Sequence, residues 1–145
     1  MLLMRKSPEN FVDLLHYLKK SFTEGDNRFQ AQFWYARTLF LNNQIEESRV
    51  FFKRLSSLSV DPQVKNTPRG IIGLESNPKE FTGRIKMLES SYGFVKRDIY
   101  GDDVFISRHD NFVNWNTFKI NDPVKFNIGF SYKGSVGIDL KHKPL

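Results

Sequence analysis

The sequence predicts an α+β protein of two domains, an N-terminal all-α helical hairpin followed by a C-terminal five-stranded antiparallel β-barrel. Three observations carry this expectation. In the first half apolar residues recur at spacings of three and four, the signature of a helix face. After Pro78 the period falls to two, and turn residues appear every eight to twelve positions, as in small all-β domains. Between the two lies a stretch mixing Pro, Gly and Asn with a short apolar run, Ile71, Ile72 and Leu74. The expected boundaries are residues 7–62 for the helical domain, 63–79 for a linker that packs against something, and 80–145 for the barrel.

The first helix is expected from Ser7, a good N-cap, with Pro8 at the first helical position, to about Phe22. Phe11, Leu14, Leu15, Leu18 and Phe22 form its stripe, and Gly25-Asp26-Asn27 ends it. A second helix carries Phe29, Phe33, Ala36 and Phe40 on one side, with Trp34, Tyr35 and Leu39 widening the apolar surface, and stops at Asn42-Asn43. A third places Ile45, Ser48, Phe52 and Leu55 on one face and ends before Asp61-Pro62. Helices two and three, from Phe29 to Pro62, resemble a tetratricopeptide repeat, in which small residues let two helices approach closely. Ala36 and Ser48 occupy the two small positions, Asn43 stands at the turn where Gly is usual, and Phe52 matches the large aromatic. Trp34 and Leu39 depart from the usual registers, so a generic helical hairpin is the competing reading. Because such units bury their faces against neighbours, the resemblance implies either a fragment of a longer repeat protein or a capping role for the helix at Ser7.

Strands are expected near Phe81 to Leu88, Tyr92 to Arg97, Asp103 to Ser107, Pro123 to Ile128 and Ser135 to Lys141. In the second of these Gly93 and Val95 share one side and Tyr92, Phe94 and Lys96 the other; in the third Val104 and Ile106 oppose Asp103, Phe105 and Ser107. The aliphatic residues make the natural core side. Tyr92, Phe94 and Phe105 then stand on the polar face, and large rings there mark an interaction surface. The competing account has the linker or the helical hairpin cover them.

Five short strands in about 60 residues suit an OB-type barrel. T-G-R-I-K-M at Thr82 to Met87, S-Y-G-F-V at Ser91 to Val95, D-V-F-I-S-R at Asp103 to Arg108, and W-N-T-F at Trp115 to Phe118 followed by N-D-P-V-K-F resemble, in order and spacing, the cold-shock domain. That resemblance implies binding of single-stranded RNA or DNA, with base stacking on Tyr92, Phe94, Phe105 and Trp115 and with Lys86 and Lys96 near the phosphates. Two departures bear on affinity: Met87 stands where the family has Trp, and Ser107 and Arg108 stand where it has His and a further aromatic. Stacking contributes about 1 to 3 kcal/mol per base, so two lost platforms would weaken binding by about 2 to 6 kcal/mol. Arg108 can substitute, since a guanidinium plane stacks on a base and also meets phosphate. Trp115 has a second reading as a plug for the open end of the barrel. Phe112 and Phe118 are expected in the core, and Met87 as packing more than as a ligand.

The charge of +6 favours anionic partners, but residues 1–78 and 79–145 each carry 11 basic and 8 acidic side chains, so it assigns no half to the anion. With no cysteine, disulfides and thiolate sites drop out and a cytoplasmic location is expected. The opening M-L-L-M-R-K has no apolar stretch suited to export or membrane insertion. His16, His109 and His142 are scattered without metal-pair spacing, and Asp98, Asp102 and Asp103 fall in a turn where solvated acids are common. No phosphate-cradling loop or nucleophile elbow is present. The expectation is therefore no catalysis, no metal and no cofactor. The sequence points to single-stranded nucleic-acid binding, RNA foremost, through Lys86, Met87, Tyr92, Phe94, Lys96, Phe105, Arg108 and Trp115, with the helical half meeting a protein partner. A protein-interaction adaptor whose barrel has lost nucleic-acid affinity is the alternative.

Overall fold

The computed structural model describes residues 29–58, 60–74 and 76–144, so the helix expected from Ser7 lies outside the described residues. The described chain forms two compact units, one of residues 29–66 with Tyr132–Gly134 and one of residues 67–131 with 135–144. Among the described residues no helix is long and apolar enough to cross a membrane.

In the helical unit, α1 (Phe29–Leu41) and α2 (Ile45–Ser56) pack as a hairpin. Asn43 makes the turn possible. It adopts φ 62, and the Asn43 and Gln44 amides donate to the Phe40 and Leu39 carbonyls at 3.0 and 2.8 Å. This is the paired capping geometry that a left-handed residue allows past a helix end, with Asn in the place Gly commonly takes. Glu46 and Glu47 in the first turn of α2 and Lys53 and Arg54 in its last complement the helix dipole. Phe33, Ala36, Leu39 and Phe40 of α1 are buried, as are Ser48, Phe51, Phe52 and Leu55 of α2. The small pair brings the helices close: the buried Ser48 Oγ donates to the Ala36 carbonyl at 2.7 Å. A third, one-turn helix, α3 (Pro62–Asn66), was not foreseen. Asp61 starts it by accepting the Gln63 amide on Oδ1 at 2.8 Å, and Pro62 supplies a preset φ.

Residues 67–79 run along the fourth of the barrel's five strands, Pro123–Ser131. The Arg69 and Phe130 backbones exchange two hydrogen bonds, and Ile72 donates to the Ile128 carbonyl at 2.9 Å. Two short strands, β1 (Gly73–Leu74) and β2 (Asn77–Pro78), pair with each other within this stretch.

The barrel consists of β3 (Phe81–Leu88), β4 (Tyr92–Arg97), β5 (Asp103–Ser107), β6 (Pro123–Ser131) and β7 (Gly134–His142), closed in the order β3-β4-β5-β7-β6. It is mixed, and the expectation of an all-antiparallel barrel is corrected: β5 and β7 run parallel, with Phe105 opposite Val136 and Ile106 opposite Gly137. The reason is parity. A closed ring of five strands cannot alternate direction all the way round, so one seam must be parallel. Two residue pairs are in register at this seam, and Asn111 reinforces it. Its buried side chain donates from Nδ2 to the Ser107 and Gly137 carbonyls, both at 3.0 Å, and accepts the Leu140 amide on Oδ1 at 3.0 Å.

Val95, Val104 and Ile106 are fully buried inside, as alternation predicts, and Ile85, Val124 and Ile128 join them there. Gly83 is required on that side, because an added Cβ would strike the Lys96 carbonyl and the Val95 side chain. Phe118 is buried as expected, but Phe112 is not a core residue and stands 73% exposed.

Candidate nucleic-acid interface

The outer face of β3, β4 and β5 is set by cross-strand register. Phe94 lies directly opposite Phe105, Tyr92 opposite Ser107, and Lys96 opposite Asp103. Directly opposed side chains share one face and lie close enough to touch. The three rings accordingly form one cluster. Phe94 and Phe105 meet edge to face at 5.7 Å, Tyr92 and Phe105 stack at 6.1 Å with an interplanar angle of 18°, and Tyr92 meets Phe94 at 6.4 Å. Tyr92 is 39% exposed, and Phe94 and Phe105 are half-buried.

Strict alternation along β3 would send Met87 inward with Phe81, Gly83 and Ile85. A bulge between Ile85 and Met87 shifts the register, so that Ile85 opposes Val95 inside while Met87 opposes Phe94 on the ring face. Met87 thus borders the cluster, half-buried, as packing for Phe94.

The cations around the rings differ in availability. Lys96 is exposed. Arg84, opposite Lys96 and also exposed, was not singled out from the sequence, although its place two residues before Lys86 puts it on the outward parity; its guanidinium donates to the Asn121 carbonyl at 3.0 Å. Lys86 is held by the Asp103 carboxylate at 2.8 Å, so a phosphate must compete with that ion pair. At the far end of the rings Arg108 is exposed, and its amide donates to the Ser91 carbonyl at 2.9 Å.

Trp115 does not join them. It begins a short 3₁₀ turn, Trp115–Thr117, is only 4% exposed, and donates from Nε1 to the Ser90 carbonyl at 3.2 Å. A buried indole fixed in this way has no free face for a base, and of its two readings the geometry is that of the plug. The loop between β5 and β6 instead holds out Phe112, with Val113 exposed beside it. Residues 108–114 have no alternation from which this exchange could be read.

No protein-family model matches this chain, and no curated protein matches it either.

Proposed function

We propose that the barrel unit is an OB-type, cold-shock-like module that binds single-stranded nucleic acid, RNA foremost, on the face of β3, β4 and β5. One observation supports this reading above the others: Tyr92, Phe94 and Phe105 are in mutual contact on the outside of the barrel, between Lys96 on one side and Arg108 on the other. Rings placed among cations offer what an unpaired strand presents, base faces for stacking and phosphates for charge. The platform is sequence-tolerant because every base has such a face. A duplex hides its bases and is a poorer ligand.

The helical unit is read as a tetratricopeptide-like hairpin that recruits a protein partner, supported by the close approach at Ala36 and Ser48 and by the tight turn at Asn43. A protein without cysteine suits a reducing cytoplasm, and the reading assigns it no catalysis. A second reading, an adaptor whose ring face meets a protein, draws on the Lys86–Asp103 ion pair, which removes one cation from the face.

Titration of the whole chain with a labelled pyrimidine-rich single strand and with the matching duplex separates the two. Stronger binding of the single strand is expected. Equal binding of both, or binding of neither, refutes the nucleic-acid reading and favours the adaptor.

A further inference from the structure

The ring face does not end at Tyr92. Beyond it, where β4 begins and β5 stops, a shallow cleft opens, lined by Ser91, Arg108, His109 and Phe112. Phe112 follows Asn111, whose side chain is buried and anchored by hydrogen bonds to Ser107, Gly137 and Leu140. Its ring is therefore held out from a fixed stem, while the loop's other large ring, Trp115, is turned inward. His109 is almost wholly exposed, its Nδ1 3.4 Å from the Asp110 carboxylate, and among the described residues the Arg108 guanidinium has no ion-pair or hydrogen-bond partner.

At the opposite end of the same strands the acids are largely paired. Asp98, Asp102 and Asp103 gather at the turn between β4 and β5, Asp102 pairs with Arg97 at 2.8 Å, and Asp103 takes Lys86. Arg84 and Lys96 stand exposed beside these pairs, so each end of the ring cluster offers a cation to a polyanion.

We infer that this cleft is a further nucleotide subsite, in which Phe112 stacks a base and Arg108, with His109 beside it, meets the flanking phosphate. The strand then leaves the ring cluster over the Ser91 and Arg108 end. Continuity decides the occupant: Ser107, opposite Tyr92 in the ladder, is followed directly by Arg108, so a strand stacked on Tyr92 has its next nucleotide over the cleft. This inference rests on the reading of the barrel as a single-strand binder.

The test uses the whole chain and fluorescein-labelled oligouridylates of increasing length. Phe112→Ala should weaken the longest oligomer by about 5- to 150-fold, the equivalent of one stacked base. It should leave the shortest unchanged and bring the plateau in affinity one nucleotide earlier. Phe112→Trp, with a larger ring, should bind the longest oligomer at least as tightly as the natural chain. Val113→Ala, at the exposed neighbour, should change nothing. Arg108→Gln should reduce the dependence of log affinity on log salt by about 0.7. Unchanged long-oligomer affinity in Phe112→Ala, or an equal loss in Val113→Ala, overturns the subsite and leaves the ring-face reading standing. A natural chain that binds no oligomer overturns both.

Discussion

Replacing Phe105 by Ala tests the ring face most directly, because Phe105 touches both other rings, Phe94 at 5.7 Å and Tyr92 at 6.1 Å. Two ring contacts at about 0.5 to 1.5 kcal/mol each put the stability cost near 1 to 3 kcal/mol. That is smaller than the cost at Phe126, which is 1% exposed inside the barrel and should lose about 3 to 5 kcal/mol on the same substitution. Loss of a stacking platform weakens single-strand binding by about 5- to 150-fold. The assay is urea unfolding of the whole chain, followed through exchange protection of the β4 and β5 amides so that the signal belongs to the barrel, beside oligomer titration of the same protein. Phe94→Ala should behave alike, and Val95→Ala, a fully buried neighbour facing the other way, serves as the core control. A Phe105→Ala protein as unstable as Phe126→Ala would show that the ring belongs to a core. A folded Phe105→Ala protein with natural affinity would show that the ring is no platform, and the adaptor reading would take its place.

Three further outcomes follow from the geometry. Asp103→Asn frees Lys86 and removes a carboxylate from the face, so single-strand affinity at low salt should rise and its salt dependence steepen by about 0.7; an unchanged slope would mean that Lys86 is a bystander. Trp115→Phe removes the hydrogen bond to Ser90 and leaves a void, costing about 1 to 3 kcal/mol in denaturant unfolding while the folded protein binds normally; lost binding at full stability would restore Trp115 as a platform. Asn111→Ala strands the Leu140 amide and the Ser107 and Gly137 carbonyls at the parallel seam, and should destabilise the barrel by about 2 to 4 kcal/mol; a change below about 0.5 kcal/mol would show that the seam closes without it.

The sequence by itself determined the elements that depend on near neighbours. Alternation in Tyr92 to Arg97 and Asp103 to Ser107 put Val95, Val104 and Ile106 inside and Phe94 and Phe105 outside, because a strand's period of two leaves a half-buried sheet little other choice. The spacing of Phe33, Ala36, Ser48 and Phe52 marked the helical hairpin, and Asn43 its turn, for the same local reason. Other features depend on residues far apart in the chain, and the tertiary structure alone decided them. The parallel seam of β5 and β7 follows from closing an odd number of strands, which no single strand's pattern records. The bulge that moves Met87 to the ring face breaks the period of two along β3, so alternation counted from Phe81, Gly83 and Ile85 could not place it. Lys86 is tied to Asp103 because their strands flank β4, although 17 residues separate them in sequence. The exchange of Trp115 for Phe112 arises in a loop with no period at all, where the side chain buried is the one whose N–H finds a carbonyl, that of Ser90, across the barrel end.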